Sequence, residues 1–207
     1  MSEPAITSAA RPQTKRQQIL SAASRLFMGH GYGAVSMEAI AREAGVSKAT
    51  LYAHFTGKER LFAAMIAGKM EHHAAGLTAV AGRRRNIRTE LLAAAREHLA
   101  LLLSPEAVGI YRTVIAELPR FPELGRVFFE SGAGVKLDLV AEFLRRAAAR
   151  GVLAVDEPHM AAGEFLAMVG AFLHLRAMLG LGAAIGASER EAVAGHAVDT
   201  FLRAYRP

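Results

Sequence analysis

The sequence predicts an all-α protein: an N-terminal three-helix domain containing a helix-turn-helix, followed by a C-terminal helical bundle that dimerises. Three observations predict it. Apolar residues recur at three- and four-residue steps along most of the 207 residues, the spacing of one helix face. Ser or Thr stands just ahead of several of these stretches, and Gly just past some of them, where helices start and stop. Hydrophobic residues make up 52% of the chain and charged residues 21%, which supplies a core and argues against disorder.

Residues 1–13 read as a flexible tail rich in Ala, Ser and Pro. Arg11, Lys15 and Arg16 read equally well as contacts along a phosphate backbone or as a solvated basic segment. Residues 14–57 carry the three-helix domain. Thr14 and Gln17 make a T-x-x-Q capping box for the first helix. Ile19, Ala22, Ala23, Leu26 and Phe27 share its inner face, and Gly29, Gly31 and Gly33 stop it. Tyr32 packs at that junction. Ser36 caps the second helix, whose stripe is Met37, Ile40, Ala41 and Ala44. Gly45 follows, where a chain leaving a helix often needs positive φ. Ser47 caps the third helix. Val46, Leu51 and Phe55 give it an inward side, leaving Ser47, Lys48, Thr50, Tyr52 and His54 outward. Thr56 and Glu59 form a T-x-x-E box for the helix after it.

Residues 58–207 read as one body. A long helix is expected from Gly57 to about Ala81, with Leu61, Phe62, Met65 and Ile66 inward. His72 and His73 point about 100° apart on it and face solvent, so they make no i,i+4 metal pair. Gly82 to Asn86, with its three arginines, reads as a solvated turn. A helix from Ile87 to Leu103 turns Leu91, Leu92, Ala95, Leu99 and Leu102 inward. Ser104 caps the next, and Pro105 takes its first position without losing a hydrogen bond. That helix holds Ile110, Tyr111, Val114 and Ile115. Glu117, Pro119, Phe121 and Pro122 then form a structural corner. A long helix follows to about Arg150, with a bend expected at Gly132 or Gly134, and Gly151 ends it.

The last two helices run near Pro158 to Leu181 and Ser188 to Ala204, with Ser188 and Glu191 as another capping box. The earlier one is apolar almost all round, through Phe165, Leu166, Met168, Val169, Phe172, Leu173, Leu175, Met178 and Leu179. Such a helix is buried on every side. A second subunit is the expected cover; a monomer with an internal helix is the alternative. His174, Arg176 and several glycines interrupt the apolar run, which argues against a membrane span.

Net charge is +6, and residues 1–58 hold +4 of it. A basic end on a nearly balanced body suggests a polyanion partner; a generally basic surface is the alternative. In a helix-turn-helix the second helix of the motif enters the DNA major groove by its N-terminal end. The small, hydroxylic and basic outward residues of the third helix suit that place. Cysteine is absent, so no disulfide or thiolate metal site is expected, and a cytoplasmic location fits. The N-terminus lacks the apolar segment of a signal peptide. The sequence shows no Gly-rich phosphate loop, no HExxH and no GxSxG, and its eight histidines are scattered. No catalytic site, metal or cofactor is therefore expected; an all-helical enzyme with a dispersed site is the remaining rival.

Gly45 to Phe62, GVSKATLYAHFTGKERLF, resembles the signature of the TetR family of bacterial one-component regulators, and Ile19 to Met37 matches its first helix. Ile110 to Gly132, IYRTVIAELPRFPELGRVFFESG, resembles the C-terminal domain of the AefR-like subgroup. The resemblance implies a ligand-responsive regulator, repression being the family's commoner mode, that binds a near-palindromic operator as a homodimer through its last two helices. A ligand-independent or activating regulator is the alternative. Carried onto matching positions, it implies base contacts from Ser47, Lys48 and Thr50, with Ala49 against a thymine methyl. It implies phosphate contacts from Ser36, Tyr52, His54 and Lys58. It also implies a small effector inside the C-terminal bundle. Residues available to line that site are Tyr111, Phe121, Phe128, Phe129, Met168 and Phe172, with His98, Arg112, His174 and Arg176 as polar groups. These walls suit a mostly apolar or aromatic ligand.

Overall fold

The computed structural model of the chain describes residues 14–68 and 86–207, and among them every regular element is a helix. The N-terminal tail, the far half of the long helix with His72 and His73, and the arginine-rich turn lie outside the described residues.

Helix α1 spans Lys15–His30, α2 Met37–Glu43 and α3 Lys48–His54. The Thr14 hydroxyl accepts the Gln17 N–H, and Gln17 Oε1 accepts the Thr14 N–H at 2.9 Å, closing the expected box. Ser36 accepts from Ala39 N–H and Ser47 from Thr50 N–H. Caps of this kind are worth about 1 kcal/mol each. They matter because α2 and α3 are seven residues each, too short to hold without caps and packing. Between them Gly45 adopts φ +65°, with its N–H on the Arg42 carbonyl and the Val46 N–H on that of Ala41. This left-handed stop fixes the angle between the two short helices.

Helix α4 is described over residues 58–68. It starts one residue later than the expected box requires: the Leu61 N–H bonds the Gly57 carbonyl, so Gly57 stands at the cap position. Helix α5 is Ile87–Leu102, capped by the Asn86 side chain, and α6 is Pro105–Glu117, capped by Ser104. The long helix expected next is interrupted. Helix α7 covers Glu123–Phe128, a π-helical turn covers Phe129–Ala133, and α8 covers Gly134–Ala149. The disturbance falls around Gly132, where an added Cβ would stand 2.8 Å from Ile66 Cγ2 of α4. Helix α9 spans Pro158–Met178, a 3₁₀ turn covers Gly182–Ala184, and α10 spans Ala187–Ala204. The expected Ser188 box does not form. Helix α10 begins a residue earlier behind Gly186 without a side-chain cap, and Glu191 pairs with Arg96 instead.

Buried side chains form two clusters. In one, α5, α8, α9 and α10 meet around Leu91, Leu99, Val140, Leu144, Phe165, Val169 and Phe201. The other joins α1–α4 to α6 and α7: Phe27, Ile40, Leu51, Phe62 and Ile66 pack with Ile110, Val114, Leu124 and Val127. Within the single chain helix α9 is enclosed on one side only. Phe165, Val169, Leu173 and Ala177 are buried, while Met168, Phe172, Leu175 and Leu179 are bare, with Phe172 72% exposed. It is the one described helix long and apolar enough to cross a membrane by length and composition, with mean hydropathy 1.2.

Candidate functional site

Helix α3 stands on Leu51 and Phe55, both buried in the core that joins α1–α4 to α6 and α7, and turns Ser47, Lys48, Ala49, Tyr52 and His54 to the surface. Thr50 is half-buried; its hydroxyl lies 2.8 Å from that of Ser47 at the helix start. Lys48 Nζ reaches back across the turn to Glu38 of α2 at 2.6 Å and lies 6.0 Å from the Tyr52 ring centre. Hydrogen bonding to Glu38 raises the Lys48 ammonium above its ordinary value, so it stays charged. The pair is exposed and screened, and a phosphate can replace the carboxylate at little cost. Ser36 opens α2 on the surface. Seven of the eight expected DNA contacts therefore lie at the surface or half-exposed on the α2–α3 unit.

Lys58 is the exception. Its Nζ donates to the Val35 carbonyl at 2.8 Å and stands 4.3 Å from the Tyr32 ring centre. Burial lowers its pKa, against the pull of Glu117. It ties the α1–α2 loop to α4 and is already engaged, so a phosphate would have to displace these contacts.

The same junction shows what the Gly31/Gly33 pair is for. Glu117, the last residue of α6, accepts the Gly33 N–H at 2.9 Å. Gly31 has φ +81°, and a Cβ there would stand 2.6 Å from Glu117 Oε1. Phe121 packs edge-on to Tyr32, which packs on Phe27 and Phe62. The corner expected as structural is thus also a clamp from the body onto the three-helix domain. Burial, then Glu123 and Glu59, push the Tyr32 phenol up to about 12.

A cavity of about 1110 Å³ lies between the two cores, walled by Leu20 and Met28 of α1, Met65 and Ile66 of α4, and residues of α5, α6, α8 and α9. Of the ten expected pocket residues it brings together His98, Tyr111, Phe128 and His174. Tyr111 stands edge-on to His174 at 4.4 Å and to Phe128 at 4.6 Å. The other six are not among its described walls. Arg112 donates to the Ala177 and Met178 carbonyls at the end of α9. Phe121 belongs to the clamp. Phe129 is 55% exposed, because successive residues of the π turn face different ways. Met168 and Phe172 lie on the bare side of α9, and Arg176 pairs with Glu189.

Sequence reasoning missed Lys136, which is buried and lines the cavity. The signal was present: Lys136 sits in register with Val140, Phe143 and Ala147, the inward stripe of α8. Desolvation drives the cavity groups toward neutrality. It lowers His98 to about 4, lowers His174 and Lys136, and raises Tyr111. Among the described residues no cluster of His, Asp and Glu could hold a metal ion.

Comparison with known proteins decides the family. The sequence model described as bacterial regulatory proteins, tetR family, matches residues 19–65. The one described as AefR-like transcriptional repressor, C-terminal domain, matches residues 89–207. The chain belongs to the TetR family. A TetR-family regulator of Mesorhizobium loti, so assigned by its structure's description, shares 30% identity at TM-score 0.81, with 96% of this chain and all of that one covered. The flavonoid-responsive regulator FrrA shares 37% at TM-score 0.74, covering 93% of this chain and 97% of FrrA. The transcriptional activator FasR of Mycolicibacterium smegmatis is 41% identical over 63 residues, 30% of this chain and 29% of FasR. The match thus spans less than a third of that curated relative. As a TetR-family member this chain is a DNA-binding transcriptional regulator and not an enzyme.

Proposed function

We propose that the chain is a repressor that binds a near-palindromic operator as a homodimer and leaves it when a small, mostly apolar effector fills the cavity. The carrying observation is the surface of α3, where a helix start capped by Ser47 presents Ser47, Lys48, Ala49, Thr50 and Tyr52 together. Ser47, Lys48 and Thr50 read base edges and Ala49 meets a thymine methyl. Ser36, Tyr52 and His54 hold phosphates, which sets register. The bare stripe of α9 supports the dimer: Met168, Phe172, Leu175 and Leu179 follow steps of four, three and four, the seam of paired helices. Two copies then set reading helices about 34–36 Å apart, or a multiple of one DNA turn. The domains we assign are residues 14–57 for reading and 58–207 for sensing and pairing. A DNA target supports a cytoplasmic location.

Repression is favoured over activation because the match described as a repressor covers residues 89–207, whereas the FasR match spans only 63 residues, 30% of this chain. An aromatic effector is supported by Tyr111 and Phe128 on the cavity wall and by the likeness to FrrA, whose description names flavonoids. Effector and operator oppose each other by the same factor in both directions, as linkage requires.

The test starts with operator selection from a random duplex pool. Lys48→Ala and Tyr52→Ala then each weaken binding to the selected site by about tenfold or more in a gel shift, since each removes a charge-assisted or phosphate hydrogen bond. Unchanged affinity for both variants at physiological salt overturns the assignment of α3 as reader.

A further inference from the structure

The Lys136 side chain is only 5% exposed, faces the cavity, and meets no hydrogen-bond partner among the described residues. Glu97 acts on it only through space. A buried cation with no hydrogen-bonded counter-charge is strongly unfavourable, so either the site is badly made or its counterpart arrives from outside. The distribution of unmet groups decides between these. Among the described residues four buried side-chain atoms lack a partner, and three of them, His98 Nδ1, Lys136 Nζ and His174 Nε2, belong to residues lining this one cavity. Random misfit would scatter them.

The protonation pattern is also fixed by geometry. His174 Nδ1 lies 3.1 Å from the Leu102 carbonyl oxygen, which can only accept. Nδ1 therefore carries the proton of the neutral ring, and Nε2 keeps a lone pair with no donor opposite. The cavity thus offers one cation at Lys136, one acceptor at His174, and the aromatic edges of Tyr111 and Phe128 between apolar walls.

We propose that this cavity takes an aromatic molecule bearing one anionic oxygen, a carboxylate or an ionised phenol, which Lys136 Nζ binds. A hydroxyl elsewhere on the ligand donates to His174 Nε2. This rests on the effector reading above and narrows it from an apolar ligand to an aromatic acid. Lys136 then acts as the gate for charge: it rejects neutral look-alikes because they leave its ammonium dry and unpaired.

The probes are 2-naphthoate, 2-naphthol and methyl 2-naphthoate, which share one ring system. Each is titrated calorimetrically into the purified full chain and scored for release of the selected operator by anisotropy. 2-Naphthoate binds at least about tenfold tighter than its methyl ester, as a charge-assisted bond to a buried partner implies. A preference for 2-naphthol that grows as the phenol ionises assigns the anionic oxygen to a phenol instead, and supports the proposal equally. Lys136→Met keeps operator binding, loses about ten- to a hundredfold for the anionic probe, and leaves the ester within a factor of about three. Lys136→Gln, which retains a polar end, serves the same comparison if the Met variant does not fold. Equal wild-type affinity for acid, phenol and ester, or an equal loss for all three in the variant, overturns the charge assignment while leaving an effector cavity in place. Failure of all three probes to bind or to release operator overturns both readings.

Discussion

His98 carries a pH signature of the buried cavity. Burial, then Lys136 and His174 nearby, lower it to about 4 from an ordinary 6.5. Between those values the unfolded chain holds a proton that the folded chain refuses, so stability falls as pH drops from about 6.5 to about 4. The loss is about 3 kcal/mol for a shift of this size. Glu97, raised by the same burial, works in the opposite sense over its own range. The measurement is therefore a difference: denaturant midpoints of wild type and His98→Leu at pH 7 and pH 4.5 converge if His98 is the source. A constant gap would assign the acid sensitivity elsewhere. Residue by residue, the caps and the glycine stop were legible in the sequence because they depend on neighbours three or four positions away. Lys58 and Lys136 were not. Lysine reads as surface by composition, which masked the inward register of Lys136 with Val140 and Phe143, and for Lys58 only the packing of α4 against the α1–α2 loop shows that the ammonium is turned inward.

The clamp is an element-scale feature: the end of α6 grips the loop between α1 and α2. Removing the carboxylate with Glu117→Ala strands the Gly33 N–H in a part-buried site, which costs about 1–3 kcal/mol. Glu117→Gln keeps an oxygen acceptor and restores most of that loss. Thermal melts of the two variants check this, and equal melting points would show that the bond is idle. The sequence marked Glu117 and Phe121 as a corner and Gly31 and Gly33 as a stop, but not that they meet. The two pairs are separated by 84 positions at the Gly33–Glu117 bond, and no local pattern encodes such a meeting. The π turn was invisible for a related reason. Glycines advertised a bend, and the close approach of Gly132 to Ile66 of α4 is a tertiary fact.

At the scale of the whole molecule, the bare stripe on α9 is where the proposed dimer is tested. Phe172→Glu with Leu179→Glu places charges on two of the most exposed apolar positions, 72% and 67% bare in the single chain. Sedimentation velocity should show a dimer for wild type and a monomer for the double variant, with operator affinity down at least about a hundredfold once two-site avidity is lost. A wild type that sediments as a monomer would remove the dimer from the proposal. The all-helical class and the family were legible because they rest on periodicity and a contiguous signature. The cavity was only half legible, since four named residues line it and six others serve the clamp, the π turn, the end of α9 and its outer side.

The core that runs from Phe27 and Phe62 into Ile110, Val114 and Leu124 bears on engineering as well. Regulators are often treated as modular, with an address label spliced onto a sensor. Here a transplant of residues 14–57 would be cut through the middle of a shared interior, leaving Ile110 and Val114 facing a stranger's side chains. A working hybrid has to carry α6 and α7 along with the graft, so the heritable unit of operator choice is larger than the part that touches the operator.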